Sequence, residues 1–146
     1  MRKILLTLLM LFLFPALCAA EGWSLEANGK NIDGAIIDYG VVQLVPLRAV
    51  AEALGYTVGW DAATGQVTVD APIQVAAFKD GSHEVIFTGK LTTINLSGVA
   101  EMDMPAEIND GTMYVPAVIF QRFFNEVRIG DKLITIEPSR SELQNN

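Results

Sequence analysis

The feature that most constrains this chain is a Val-Pro pair that occurs twice, each time between a strand-like stretch and a helix-like stretch. The first copy reads VPLRAVAEALGYTVGWD from Val45 to Asp61, and the second reads YVPAVIFQRFFNEVRI from Tyr114 to Ile129. Proline disfavours helix in the residue before it, and its fixed φ suits the first helical turn. Each pair therefore predicts a point where a strand ends and a helix begins.

In the first copy, Pro46 is followed by apolar residues with helical spacing. They recur at i, i+3, i+4 and i+7, which predicts one buried helical face, made of Leu47, Val50, Ala51 and Leu54. Gly55 follows the last of them and is expected to end the helix in the left-handed conformation. TVGW and QVTVD then predict two short strands joined by the turn DAATG.

The second copy keeps this pattern with different residues. Pro116 starts the helix, and Phe120 and Phe124 are expected on its buried face. Asn125 stands at the capping position and is predicted to be left-handed, since Asn tolerates that conformation. NEVRI and LITI predict the two closing strands.

The resulting fold class is α+β, with two degenerate β-β-α-β-β repeats in which short helices pack on antiparallel strands. Repeat one covers about residues 25–70, a linking hairpin covers 71–98, and repeat two covers about 99–137. Residues 21–137 are thus expected to form one domain, and 138–146 a polar tail.

The N-terminus has the features of a secretory signal peptide over residues 1–20. Arg2 and Lys3 precede the apolar stretch ILLTLLMLFLF, and small residues lead up to a cleavage site before Glu21. A lipidated Cys18 is the alternative, which Leu17 disfavours because a lipoprotein site needs a small residue there. We therefore expect a secreted protein, extracellular or associated with the cell envelope, without membrane contact after cleavage.

The composition of the expected mature chain excludes several classes of protein. Its sole cysteine lies in the signal peptide, so it forms no disulfide and depends on its apolar core. Without the two basic residues of the signal it carries 8 basic and 17 acidic residues, a net charge of −9. Nucleic acids and anionic membrane surfaces are therefore not expected partners, because their phosphates require Lys and Arg.

The first motif, VPLRAVAEALGYTVGWDAATGQVTV, resembles the repeat of the copper amine oxidase N-terminal-like domain, the stalk domain of bacterial secreted proteins. INDGTMYVPAVIFQRFFNEVRI is similar to that family's second repeat, although it lacks the Leu-Arg after Val-Pro and the Gly and Trp of the first copy. The resemblance covers roughly Leu25 to Glu137. It implies an extracellular accessory or spacer module and carries over no catalytic residue.

The sequence is poor in residues for catalysis. His83 is the one histidine and stands beside a predicted turn, whereas metal sites and hydrolase triads need further partners. Glu101, Asp103 and Glu107 could be imagined as glycosidase carboxylates, but we interpret them as a polar strand edge. We expect no enzyme, no cofactor and no metal, copper included; a hydrolytic enzyme is the least favoured alternative.

Candidate ligand-binding residues are four aromatic side chains and one arginine: Trp23, Tyr39, Tyr56, Trp60 and Arg48. Trp23 is expected to be exposed, while Trp60 alternates with Val58 and is expected to cover the helix. Arg48 either forms an ion pair with Glu52 or a nearby strand carboxylate, or binds an anionic ligand.

The expected function is that of a non-catalytic, stalk-like module for structural support or protein interaction at the cell envelope. The alternative is a module that binds cell-wall polysaccharide through exposed aromatic residues. The expected partner is thus an extracellular protein or a cell-wall polymer, and an oligomer is compatible with either function.

Overall fold

Strands dominate residues 22–139, the part of the chain that the computed structural model describes. The predicted signal peptide and most of the polar tail lie outside these residues. In chain order the elements are β1 (Ser24–Ala27), β2 (Lys30–Asn31), β3 (Ile37–Asp38), β4 (Gln43–Pro46), α1 (Leu47–Ala53), β5 (Thr57–Asp61), β6 (Gln66–Asp70), β7 (Gln74–Lys79), β8 (Glu84–Gly89), β9 (Gly98–Glu101), β10 (Glu107–Asn109), β11 (Thr112–Pro116), a 3-10 helix (Ala117–Phe123), β12 (Asn125–Gly130) and β13 (Leu133–Pro138).

The strands form three sheets, with orders β12-β13-β1-β2, β10-β11-β4-β3 and β5-β6-β7-β8-β9. The predicted linking hairpin is β7 and β8, which extend the β5–β6 hairpin into the five-stranded sheet. Antiparallel pairing alone was expected, but β1 and β13 pair in parallel, with Leu25 opposite Ile134. Sequence periodicity cannot reveal such a contact between distant strands. The coarse class, mostly strand with two short helices, agrees with α+β.

The pairing of β4 with β11 joins the two halves of the chain. These strands run antiparallel, and Val45 lies opposite Val115, seventy positions away in the sequence. Pro46 lies opposite Tyr114, and Leu44 lies opposite Pro116. Because both strands end in proline, the two helices start at opposite ends of this pair.

Helix α1 follows the sequence prediction closely. Pro46 is its N-cap residue, and Leu47, Val50 and Ala51 are fully buried. Gly55 has a φ of 85°, the left-handed value expected of the residue that ends the helix.

Neither helix within residues 22–139 has the length and apolar character needed to span a membrane.

The second helix differs from the prediction because it is a 3-10 helix. With three residues per turn, its buried side carries Ala117, Phe120 and Phe123. The expectation that Phe124 is buried is therefore wrong: it is 46% exposed and takes the left-handed position with a φ of 63°. The predicted left-handed cap at Asn125 is wrong for the same reason, since the tighter helix ends one residue earlier.

Asn125 caps the 3-10 helix with its side chain instead. It is the buried first residue of β12, and its Nδ2 donates to the Phe120 carbonyl at 3.2 Å. Its Oδ1 accepts a hydrogen bond from the Tyr56 hydroxyl at 3.0 Å. The side-chain amide of Asn125 thus connects the 3-10 helix to Tyr56, the residue that follows Gly55 at the end of α1.

An aromatic cluster within the core contains Phe123, which links the 3-10 helix to the five-stranded sheet and to Tyr56 after α1. Its ring centroid lies 5.5 Å from that of Phe87 in β8, 5.9 Å from Phe120 and 5.8 Å from Tyr56. Such aromatic pairs add about 0.5–1.5 kcal/mol each beyond the area they bury.

We expect Asn125→Ala to lower the free energy of unfolding by about 1–3 kcal/mol, because it removes both hydrogen bonds of a buried amide, to the Phe120 carbonyl and from the Tyr56 hydroxyl. Urea denaturation measures the change. Asn31→Ala, at an exposed position in β2, is the control and should stay within about 0.5 kcal/mol of the unaltered protein. Asn125→Gly should be destabilising too; equal stability of the Asn125 and Asn31 variants would contradict the capping role.

Candidate functional site

A groove of about 370 Å³ lies beside the first turn of α1. Leu47 and Arg48 line it from α1, and Trp60 and Val67 from the β5–β6 hairpin. The opposite wall is the β10–β11 hairpin, with Ile108, Gly111, Thr112 and Met113. Two of the predicted candidate residues, Arg48 and Trp60, therefore share one concavity.

The guanidinium of Arg48 is held through a single nitrogen. Its Nη1 donates to Glu52 Oε1 and to the Val58 carbonyl, both at 3.3 Å. Within residues 22–139, Nε and Nη2 have no hydrogen-bond partner. Pairing with Glu52, one of the two predicted alternatives, thus leaves most donors of the arginine available.

Trp60 does not cover the helix as expected, since its side chain is 57% exposed. Val58, on the same face of β5, is buried. Two residues along a strand span about 6.6 Å, which takes Trp60 away from the buried part of β5 and into the groove wall.

The loop of residues 38–43, which runs from the last residue of β3 to the first of β4, is held in place by one carboxylate. Asp38 accepts hydrogen bonds from Trp23 Nε1 at 2.7 Å, the Gly40 amide at 2.9 Å and Gln43 Nε2 at 3.1 Å. The hydrogen bond from Gln43, then those from Trp23 and Gly40, lower the pKa of Asp38 to about 2. The ionised carboxylate therefore fixes the loop conformation.

Trp23 is half-buried, less exposed than the sequence suggested. Its indole donates to Asp38, and Lys132 Nζ lies 5.2 Å from the ring centroid. The same Nζ lies 3.8 Å from Asp38 Oδ2, so tryptophan, lysine and aspartate form one cluster.

The braced loop carries an exposed aliphatic patch, which we define as Val41, Val118 and Ile129. These side chains are 95%, 42% and 39% exposed and border a shallow depression of about 40 Å³. Asp103 stands at its edge. The three elements that meet here are the 38–43 loop, the start of the 3-10 helix and β12.

The four predicted aromatic residues do not share one site. Tyr39 is exposed and its hydroxyl donates to Glu107 Oε2 at 3.1 Å; that hydrogen bond raises the pKa of Tyr39. Tyr56 bonds to Asn125, Trp60 lines the groove, and Trp23 lies against Asp38.

Of the three carboxylates considered for catalysis, Glu101 and Asp103 line a depression of about 190 Å³ together with Arg122, whereas Glu107 lies outside it and accepts a hydrogen bond from Tyr39. His83 is exposed, and its Nδ1 donates to the Met102 carbonyl at 2.9 Å. A second groove of about 370 Å³ involves Arg122, and in each of the two grooves an arginine is the sole ionisable side chain that residues 22–139 contribute. Within residues 22–139 no three His, Cys, Asp or Glu side chains are placed to hold a metal ion.

The sequence interpretation missed the role of Asp38 and all three residues of the aliphatic patch. The Asp-Tyr-Gly triplet does indicate a turn, and two valines directly after a turn are the signal that was available. Val118 and Ile129 could not be found this way, because they join the patch only through the fold.

Comparison with known proteins gives one family and one curated relative. The family model of the copper amine oxidase N-terminal domain matches residues 26–136. A protein named "Protease inhibitor" from Brevibacillus choshinensis is 31% identical over 123 residues, which cover 82% of this chain and 35% of that protein. The chain thus spans about a third of the length of this relative. No solved structure matches the chain significantly.

We expect the carboxylate of Asp38 to stay ionised at a pH of about 3, where an ordinary aspartate with a pKa of 3.8 is mostly protonated. A lowered pKa means that the contribution to stability is complete above the ordinary value and is lost as the pH falls through about 2. The Trp23 Nε1 proton should therefore hold its NMR shift from neutral pH to about 3. Asp38→Asn should move this resonance at every pH, and a titration midpoint near 4 in the unaltered protein would contradict the bracing role.

Proposed function

The chain belongs to the copper amine oxidase N-terminal domain family, and we propose from this premise that it is a non-catalytic module that supports or binds another protein at the cell envelope. The lining of the two grooves of about 370 Å³ supports this, since arginine is the sole ionisable side chain that the described residues place in each, and it is too basic to act as a general base. The signal-like N-terminus supports secretion and a location outside the cell.

The observation that carries the proposal is the aliphatic patch on the 38–43 loop. Protein association costs free energy when a loop must be ordered, and the hydrogen bonds of Asp38 order this loop beforehand. Val41 contributes nothing to the core at 95% exposure, so its apolar surface is available to a partner.

The name of the relative from Brevibacillus choshinensis fits a protein-binding function, because an inhibitor acts by binding a protein. A narrower proposal than protein binding in general is that this chain binds a protease. The similarity covers 35% of the relative, so the two proposals are tested separately. Incubating the chain with serine, cysteine and metalloproteases and measuring residual activity tests the narrower proposal alone.

We also propose that the two halves are diverged copies of one β-β-α-β-β unit. Matching pairings seventy positions apart support this: Ile37 opposite Leu44 in the first half, and Glu107 opposite Tyr114 in the second. The two concavities support it as well, because the groove and the aliphatic patch involve corresponding positions. Arg48 corresponds to Val118, and Trp60 to Ile129.

A photoreactive benzophenone amino acid at position 41 tests the protein-binding function in the cells that produce the chain. We expect irradiation to give a discrete adduct with one protein, because the side chain at 41 would lie in the interface. Val118→Asp should abolish the adduct, since a charge in an apolar contact is costly.

The matched control carries the same photoreactive residue at position 99, where the natural valine is also exposed but belongs to β9. It should give no discrete adduct. Equal labelling from positions 41 and 99, or none from 41, would contradict the proposal.

Binding of cell-wall polysaccharide is the second candidate function, and the exposure of Trp60 is the observation that favours it. An aromatic face can stack on a sugar ring, so this candidate predicts that Trp60→Ala removes most co-sedimentation with purified cell wall. Trp23→Phe, which alters a half-buried indole outside the groove, should bind as the unaltered chain does. Wall binding that is unaffected by Trp60→Ala would exclude this candidate.

A further inference from the structure

We propose that the groove beside α1 binds the C-terminal end of a peptide chain whose last residue is apolar. This site lies apart from the aliphatic patch and goes beyond the protein-binding function already proposed. Two features carry the inference: the unused donors of Arg48 and the apolar walls around them.

Arg48 is positioned to take a carboxylate. Its Nη1 is engaged by Glu52 and the Val58 carbonyl, which orients the guanidinium, while Nε and Nη2 have no partner within the described residues. Two adjacent guanidinium nitrogens form the edge that binds a carboxylate with two parallel hydrogen bonds. The ion pair with Glu52 is more than half exposed on both sides, so it competes weakly with such a ligand.

The remaining walls call for an apolar side chain. Leu47 and Met113 form a buried floor, whereas Trp60 and Ile108 expose large apolar surfaces beside it. Covering them removes that surface from water, and Trp and Arg are the residues that most often dominate binding energy at interfaces. A volume of about 370 Å³ falls in the usual range of roughly 300–1,000 Å³ for ligand pockets.

The charge and polarity of the groove select this ligand over others. Among the described residues, Arg48 is its sole ionisable side chain, which suits a single negative charge better than a phosphate group. The polar side-chain groups that the described residues place in its lining are those of Arg48 and Thr112 and the indole N–H of Trp60, fewer than a sugar with several hydroxyls would need. A terminal carboxylate next to an apolar side chain uses both features at once.

The test uses the natural sequence, produced with 5-fluorotryptophan at both tryptophan positions. The sequence has two tryptophans, so Trp60 reports on the groove in ¹⁹F NMR and Trp23 serves as an internal reference. The probe is acetyl-Ala-Ala-Leu-Phe with a free C-terminal carboxylate, and its matched control is the same peptide with a C-terminal amide. We expect the acid to shift the Trp60 resonance saturably and the amide to bind at least about tenfold more weakly, since it lacks the charge-assisted pair.

Variants of Arg48 separate charge from geometry. Arg48→Lys keeps the positive charge but loses the planar edge, so we expect binding of the acid to weaken by about tenfold. Arg128→Gln is the control, because Arg128 is an exposed arginine paired with Glu126 in β12, outside the groove. It should leave the affinity unchanged, and melting temperatures should show that both variants remain folded.

Several results would overturn the proposal: equal affinity for acid and amide, equal shifts at Trp23 and Trp60, or unweakened binding by Arg48→Lys. Octanoate, which has a carboxylate and an apolar chain but no peptide backbone, separates a peptide site from a general site for amphipathic acids. Octanoate binding as tightly as the peptide would overturn the peptide assignment. A shift of Trp60 by a cell-wall oligosaccharide, with none by the peptide acid, would assign the groove to sugar instead. None of these results depends on cross-linking at position 41, so the two proposals fail independently.

Discussion

The antiparallel contact between β4 and β11 is the constraint on which the rest of the structure depends. Val45 opposite Val115 sets the register, and both side chains are fully buried. A shift by one residue would move every side chain of either strand to the other face. Because each strand ends in the proline that caps a helix, this register also fixes where α1 and the 3-10 helix begin.

The same register creates both candidate binding surfaces. Residues just after β4 meet residues of the β10–β11 hairpin and form the groove, while residues just before β4 meet those just after β11 and form the aliphatic patch. If the two halves are copies of one unit, as proposed, the groove and the aliphatic patch occupy corresponding positions in them. The groove has arginine and tryptophan where the patch has Val118 and Ile129, so the same framework offers an apolar recess with one charged side chain in one half and an aliphatic surface in the other.

Sequence reasoning succeeded where the determinants are local. Pro46 and Gly55 fix helix ends through their own backbone preferences, and both were placed correctly. It failed at Asn125, because spacing in the sequence does not distinguish an α-helix from a 3-10 helix, and the difference moves the cap by one residue. The exposure of Trp60 depends on how far α1 extends over β5, which only packing decides.

Parallel pairing between the first and last strands has a mechanical consequence. Since β1 and β13 run side by side in the same direction, the chain enters the sheet at one end of this pair and leaves it at the other. Tension applied between residues 22 and 139 would slide the two strands past each other and load their hydrogen bonds together in shear. Opening a hairpin from its end would instead break them one after another. A domain that carries tension between two attachments gains its strength from this arrangement rather than from its overall stability.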